Sequence, residues 1–199
     1  MEIIELLLDE ENETAGIDAI SIVSSPAIES DFIKLKSQEI KFAKVDDEKR
    51  ILMGAALIPN KPIYRKDEKK EYYVYFSADT VRKASELFFM NGNQNNATLE
   101  HNMDINGLSV VESWIVEDAE MDKTKKYGLD VPVGTWMVSM KVNNDEIWNE
   151  YVKTDKVKGF SIEGYFADKM ERPKDSVGLS EDKEADDLLQ KIKDILTNA

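Results

Sequence analysis

Residues 51–58, Ile51-Leu52-Met53-Gly54-Ala55-Ala56-Leu57-Ile58, are apolar without interruption and stop at Pro59. A run of that length with that ending predicts a strand buried on both faces. Strands are also expected at 2–8 and 19–23, the second broken by Ser24-Ser25-Pro26. Residues 32–45, with Ile40, Phe42 and Val45, alternate in the manner of an edge strand. The stretch 59–70 is polar, basic and punctuated by proline, which predicts a loop. Glu71-Tyr72-Tyr73-Val74-Tyr75-Phe76 then returns to strand-forming aromatic residues.

One helix stands out. Ser77 is a natural cap, Val81, Ala84, Ser85 and Phe88 recur at helical spacing, and Gly92 ends the pattern. After a turn at 91–96, residues 97–101 are expected to return as a strand carrying His101. A further strand at 108–116 places Leu108, Val110, Trp114 and Val116 on one face, with Glu112 as the single carboxylate among them. Residues 131–142 predict a long strand, and 144–151 one or two helical turns starting at an asparagine or aspartate cap. In 157–166, Phe160, Ile162 and Phe166 point one way and Ser161, Glu163 and Tyr165 the other. Gly159 and Gly164 leave room there for another backbone, or a substrate, to approach.

Past Pro173 the pattern changes. Residues 171–187 form an acidic linker, and Leu188, Leu189, Ile192, Ile195 and Leu196 make one stripe of an amphipathic helix over 188–199. The expected organisation is one β-rich α+β domain over 1–170, then linker and helix. No internal repeat, phosphate loop or metal motif is present.

Composition narrows the function. The 199 residues are 42% hydrophobic and 33% charged, which describes a globular chain with room for one sizeable core. A formal net charge of −14 argues against nucleic-acid binding, which needs a basic face. The absence of cysteine excludes thiolate catalysis and sulfur-based zinc sites. Acidic residues stand where a secretory leader carries lysine or arginine, and no run approaches the roughly 18 apolar residues of a membrane span. Neither membrane association nor a cofactor is expected.

His101 is the only histidine. In an acyl-transfer enzyme without cysteine, the nucleophile would be a hydroxyl and His101 its base. A metal-dependent hydrolase using His101 and Asp104 has too few ligands to be attractive. A non-catalytic structural or scaffolding protein of a virion suits the strand-rich body and terminal helix equally well.

The ordered set of motifs resembles a known family. The stretches are Ser21-Ile22-Val23-Ser24-Ser25-Pro26-Ala27, residues 54–62, Leu99-Glu100-His101, Val110-Val111-Glu112-Ser113-Trp114-Ile115, Val133-Gly134-Thr135-Trp136 and Gly159-Phe160-Ser161-Ile162-Glu163-Gly164. Together they cover roughly residues 15–168 and resemble the procapsid (prohead) maturation proteases of tailed phages, in the XkdF-like branch of phage serine proteases. The resemblance implies a β-barrel core like that of the herpesvirus assembly proteases, with histidine preceding serine. It further implies a serine endopeptidase that cuts scaffold and major capsid protein, and itself, inside the procapsid in the host cytoplasm. Self-association is implied by the same analogy.

Carried over, His101 would be the general base and Ser161 the nucleophile. The herpesvirus enzymes complete the site with a second histidine, which this chain lacks. That role is then open or falls to a carboxylate, because the imidazolium needs an anion or dipole behind it. Glu112 is the first candidate, since strand parity aims it into an apolar face; an ion pair with lysine or arginine is the competing role. Glu163, two residues from Ser161 on the same face, is second, and Asp104 third. Oxyanion donors would be backbone amides that the sequence does not locate.

Overall fold

The computed structural model describes residues 2–8, 15–26, 43–46, 49–66 and 70–168. Its strands are β1 (Glu2–Leu7), β2 (Gly16–Val23), β3 (Ala43–Asp46), β4 (Ile51–Leu57), β5 (Ile63–Lys66) and β6 (Glu71–Phe76), followed by helix α1 (Ala78–Met90). Then come β7 (Ala97–Leu99), β8 (Met103–Ile105), β9 (Leu108–Ile115), the short α2 (Lys123–Lys126) and β10 (Trp136–Val142). A π-helical turn (Ile147–Val152), β11 (Gly159–Tyr165) and β12 (Ala167–Asp168) complete the series. The fold is β-rich with few helices.

The strands pair in three four-stranded sheets, in the orders β12-β1-β6-β5, β3-β4-β10-β9 and β11-β2-β7-β8. Among the described residues no closed barrel is found; each sheet is open. The third sheet matters most for function. Its centre joins β2 to β11 antiparallel and to β7 in parallel, so segments distant in the chain become neighbours.

The apolar run at 51–58 is buried on both faces for a visible reason. Leu52, Ala56 and Leu57 join the main core with Ile20, Ile22, Phe88 and Trp136, while Met53, Ala55 and Ile58 join a second cluster with Val116, Leu129, Val131 and Met137. β4 and its neighbour β10 are therefore shared by two cores, which removes the usual alternation. α1 begins as expected, with Ser77 Oγ accepting from the Thr80 amide. It is followed by Gly92 in the left-handed region, at φ 75°.

Three expectations on local structure change. The stretch 59–70 is not all loop, because Ile63–Lys66 pairs with β6 and buries Ile63. The strand expected over 131–142 begins only at Trp136, since Pro132 and Gly134 (φ 86°) form a turn before it. His101 is not on a strand: β7 ends at Leu99, and the histidine sits in the turn to β8. Of the edge-like 32–45 segment only β3 is described. The acidic linker 171–187 and the striped segment 188–199 lie outside the described residues.

β11 shows why its glycines are there. A Cβ built on Gly164 would lie 2.0 Å from the Gly16 carbonyl oxygen, a backbone atom that cannot swing aside. The β11–β2 register also shifts between Glu163 and Gly164. Gly164→Ala should therefore destabilise the fold by about 1–3 kcal/mol or more, several degrees in melting temperature. An unchanged melting curve would show that the two strands separate there at little cost.

Candidate active site

The only imidazole is held by an uncommon backbone. Glu100 and His101 both have positive φ (51° and 59°), and the Asn102 amide donates to the Leu99 carbonyl at 3.0 Å. These are the marks of a type I′ turn, which usually recruits glycine or asparagine. Non-glycine residues there cost of order 1 kcal/mol or more each and persist only where the surroundings hold them. Here β2 does so. The Glu100 amide donates to the Ile22 carbonyl (3.1 Å) and the His101 amide to Ser21 Oγ (3.1 Å). The Ser24 amide donates to Glu100 Oε1 (2.7 Å). The turn is clamped along its length.

The side chain is held as well. His101 Nδ1 lies 3.0 Å from Glu163 Oε1 on β11. The Thr98 hydroxyl donates to the same carboxylate oxygen. Glu163 stands in register with Ala19 and Ser161 with Ser21, which is itself in register with Thr98. Ala19 presents only a methyl group opposite Glu163, so the carboxylate can lean across β2 to Thr98 and the imidazole. His101 and Glu163 keep 41% and 31% of their side-chain surface exposed, enough for a substrate to meet the pair.

Ser161 lies two residues before Glu163 and shares its face of β11. It is 4% exposed; the cleft of about 220 Å³ that it borders is lined mainly by Ile162, Gly164 and Phe166 on the other side of β11, with Leu57, Ile63 and Phe76. Among the described residues no hydrogen bond joins Ser161 to His101. Ser21, the other buried serine of this row, is already engaged: its hydroxyl donates to the Thr98 carbonyl (3.4 Å) and accepts from the His101 amide.

Glu112 is elsewhere. It lies on β9 in another sheet, where it accepts from the Lys123 ammonium and, at 2.7 Å, from the Ser139 hydroxyl. The Lys123 hydrogen bond holds its carboxyl below the ordinary range, outweighing modest desolvation, and Ser139 adds to the lowering. This is the ion pair weighed as its competing role, and among the described residues no hydrogen bond joins Glu112 to His101. Asp104 stands on β8 in register with Thr98. Among the described residues no group of three or more histidine and carboxylate side chains converges as a metal-ligand set.

Ser21 and Thr98 were not singled out as site residues from the sequence. The available signal was a polar residue at an inward position, as in Ile20-Ser21-Ile22, because a hydroxyl buried in a strand must find a partner.

A histidine backed by a carboxylate that shares its strand face with a buried serine is an arrangement suited to acyl transfer. The chain belongs to the family described as "Putative phage serine protease XkdF", which matches residues 39–171. No curated protein and no solved structure gives a significant match. Among the described residues no helix is long and apolar enough to cross a membrane.

Proposed function

We propose that this chain is a serine endopeptidase of phage procapsid maturation, with Ser161 as nucleophile, His101 as general base and Glu163 as the carboxylate that orients the imidazole. The observation that carries the reading is the His101–Glu163 contact on the strand face that bears Ser161. Two residue rises along β11 separate Ser161 from Glu163 by about 6.6 Å. A carboxylate–imidazole–hydroxyl chain with two hydrogen bonds of ~2.8 Å spans about 7–8 Å, so the spacing suits a relay closed by a small movement on substrate binding.

In this mechanism Ser161 Oγ attacks the scissile carbonyl carbon as its proton passes to His101 Nε2. The imidazolium is stabilised by Glu163 at Nδ1. Collapse of the tetrahedral intermediate expels the amine, which takes the proton from His101, and leaves an acyl ester on Ser161. Water, deprotonated by the same imidazole, then hydrolyses the ester. On this reading scaffold and major capsid protein are the substrates, the procapsid interior is the place of action, and self-association, by analogy with the herpesvirus enzymes, keeps the enzyme quiet until assembly.

A fluorophosphonate probe tests this directly, since it labels only an activated serine. The full chain should label at Ser161, as read by mass spectrometry of the modified peptide, and Ser161→Ala should not. A folded chain that takes no label would favour a non-catalytic structural or scaffolding role in the virion.

A further inference from the structure

Thr98 stands where the two clamps on His101 meet. It is the middle residue of β7, buried at 5% exposure, and it precedes the turn that carries the histidine. Its carbonyl accepts from the Ser21 hydroxyl at 3.4 Å, and Ser21 Oγ accepts from the His101 amide at 3.1 Å. Its own hydroxyl donates to Glu163 Oε1, the oxygen that lies 3.0 Å from His101 Nδ1. Four hydrogen bonds thus close a ring that runs from the His101 amide through Ser21, Thr98 and Glu163 back to the imidazole. Backbone and side chain of one residue are tied to the same threonine.

We infer that Thr98 is a positioning residue of this site: its hydroxyl aims Glu163 at Nδ1 and so fixes the imidazole tautomer that leaves Nε2 free for Ser161. The catalytic consequence rests on the protease reading above. Glu163 is a long side chain, 31% exposed, beside the register shift in β11. A carboxylate so placed turns readily to water, and the ring it should hold is then free to change tautomer. Thr98 opposes this, because branching at Cβ leaves its χ1 few choices on a strand. Its buried hydroxyl has a desolvation cost that the bond to Glu163 offsets. A carboxylate only accepts, so with Oε1 against Nδ1 the ring proton sits on Nδ1. Nε2 then carries the lone pair that a general base needs.

His101 is the only histidine, so its ring nitrogens give unambiguous NMR signals in isotopically labelled full-length chain. At alkaline pH, where an imidazole is neutral, these signals should report the Nδ1–H tautomer. Thr98→Val should move the ring toward Nε2–H, the form that free imidazoles favour in water, and Thr98→Ser should keep Nδ1–H. The rate of fluorophosphonate labelling at Ser161 should fall ~10-fold or more in Thr98→Val and stay within ~3-fold of the parent in Thr98→Ser, the scale of a hydrogen bond to a charged group. Thermal melts show that the variants fold, and Thr98→Ala takes the place of valine if valine does not. An Nε2–H tautomer in the parent overturns the inference, and so does Nδ1–H that persists in Thr98→Val whatever the labelling rate. An unchanged rate in Thr98→Val, from a parent that labels, overturns it too. A parent that takes no label overturns the protease reading instead, and the tautomer comparison then decides by itself whether Thr98 orients the pair.

Discussion

Ser161→Ala and His101→Asn should each lower peptide-bond cleavage by ~10⁴-fold or more while leaving the melting temperature within a few degrees of the parent. Loss of either member of a nucleophile–base pair removes nearly all of its joint contribution, so the double variant should be little worse than either single one. Alanine at 161 removes only a hydroxyl from a residue 4% exposed. Asparagine is the better replacement at 101, because it tolerates the positive φ of 59° and retains the amide that donates to Ser21. The check is the initial rate of capsid-protein or self-cleavage, beside a thermal melt of each variant. Full activity in folded Ser161→Ala would remove that residue from the chemistry.

The second large effect separates the two glutamates. Glu163→Gln should reduce kcat by ~10²–10⁴-fold, because the neutral amide no longer stabilises the imidazolium, with substrate KM little changed. Glu112→Gln should leave turnover within a few-fold of the parent, since its partners are Lys123 and Ser139. What Glu112→Gln should alter is the pH dependence of stability. The folded-state pKa of Glu112 is lowered, so its contribution is present above the unfolded carboxyl value and is lost as pH falls through the folded one. That contribution is below about 1 kcal/mol, because the pair is solvent-screened. Acid unfolding of the two variants and single-turnover kinetics at neutral pH measure both halves. The reverse pattern, with turnover lost in Glu112→Gln and kept in Glu163→Gln, would reassign the carboxylate.

Several features of the site are legible in the sequence alone. The scarcity of imidazole singled out His101, the alternation at 157–166 put Ser161 and Glu163 on one face, and glycines marked the close approach at Gly164. His101 itself was misplaced onto a strand. Little in Leu99-Glu100-His101-Asn102 announces a turn of left-handed residues, because glutamate carries no preference for it and histidine only a modest one. The conformation is imposed by Ser21, Ile22 and Ser24, about eighty residues earlier. The loop expected at 59–70 failed for a related reason. Its polar composition is that of exposed chain, yet pairing with β6 draws Ile63 into the core and brings Arg65 to the cleft.

The sequence by itself determined what depends on neighbours in the chain: the capped helix α1, the doubly buried strand at 51–58, the face on which each residue of β11 lies, and the family. Periodicity, capping and turn chemistry act over a few residues, so they can be read directly. Only the tertiary structure decided which carboxylate meets the histidine. Strand parity put Glu163 beside Ser161 on one face, but it failed for Glu112, because a register shift at Val111 turns that residue off the apolar face of Leu108 and Val110 and leaves it exposed. β2 lies between β7 and β11, which carries Glu163 to the turn after β7, while β9 lies in another sheet beside β10. That ordering is set by the burial of whole sheet faces in a common core, a property of the assembled fold and of no single segment.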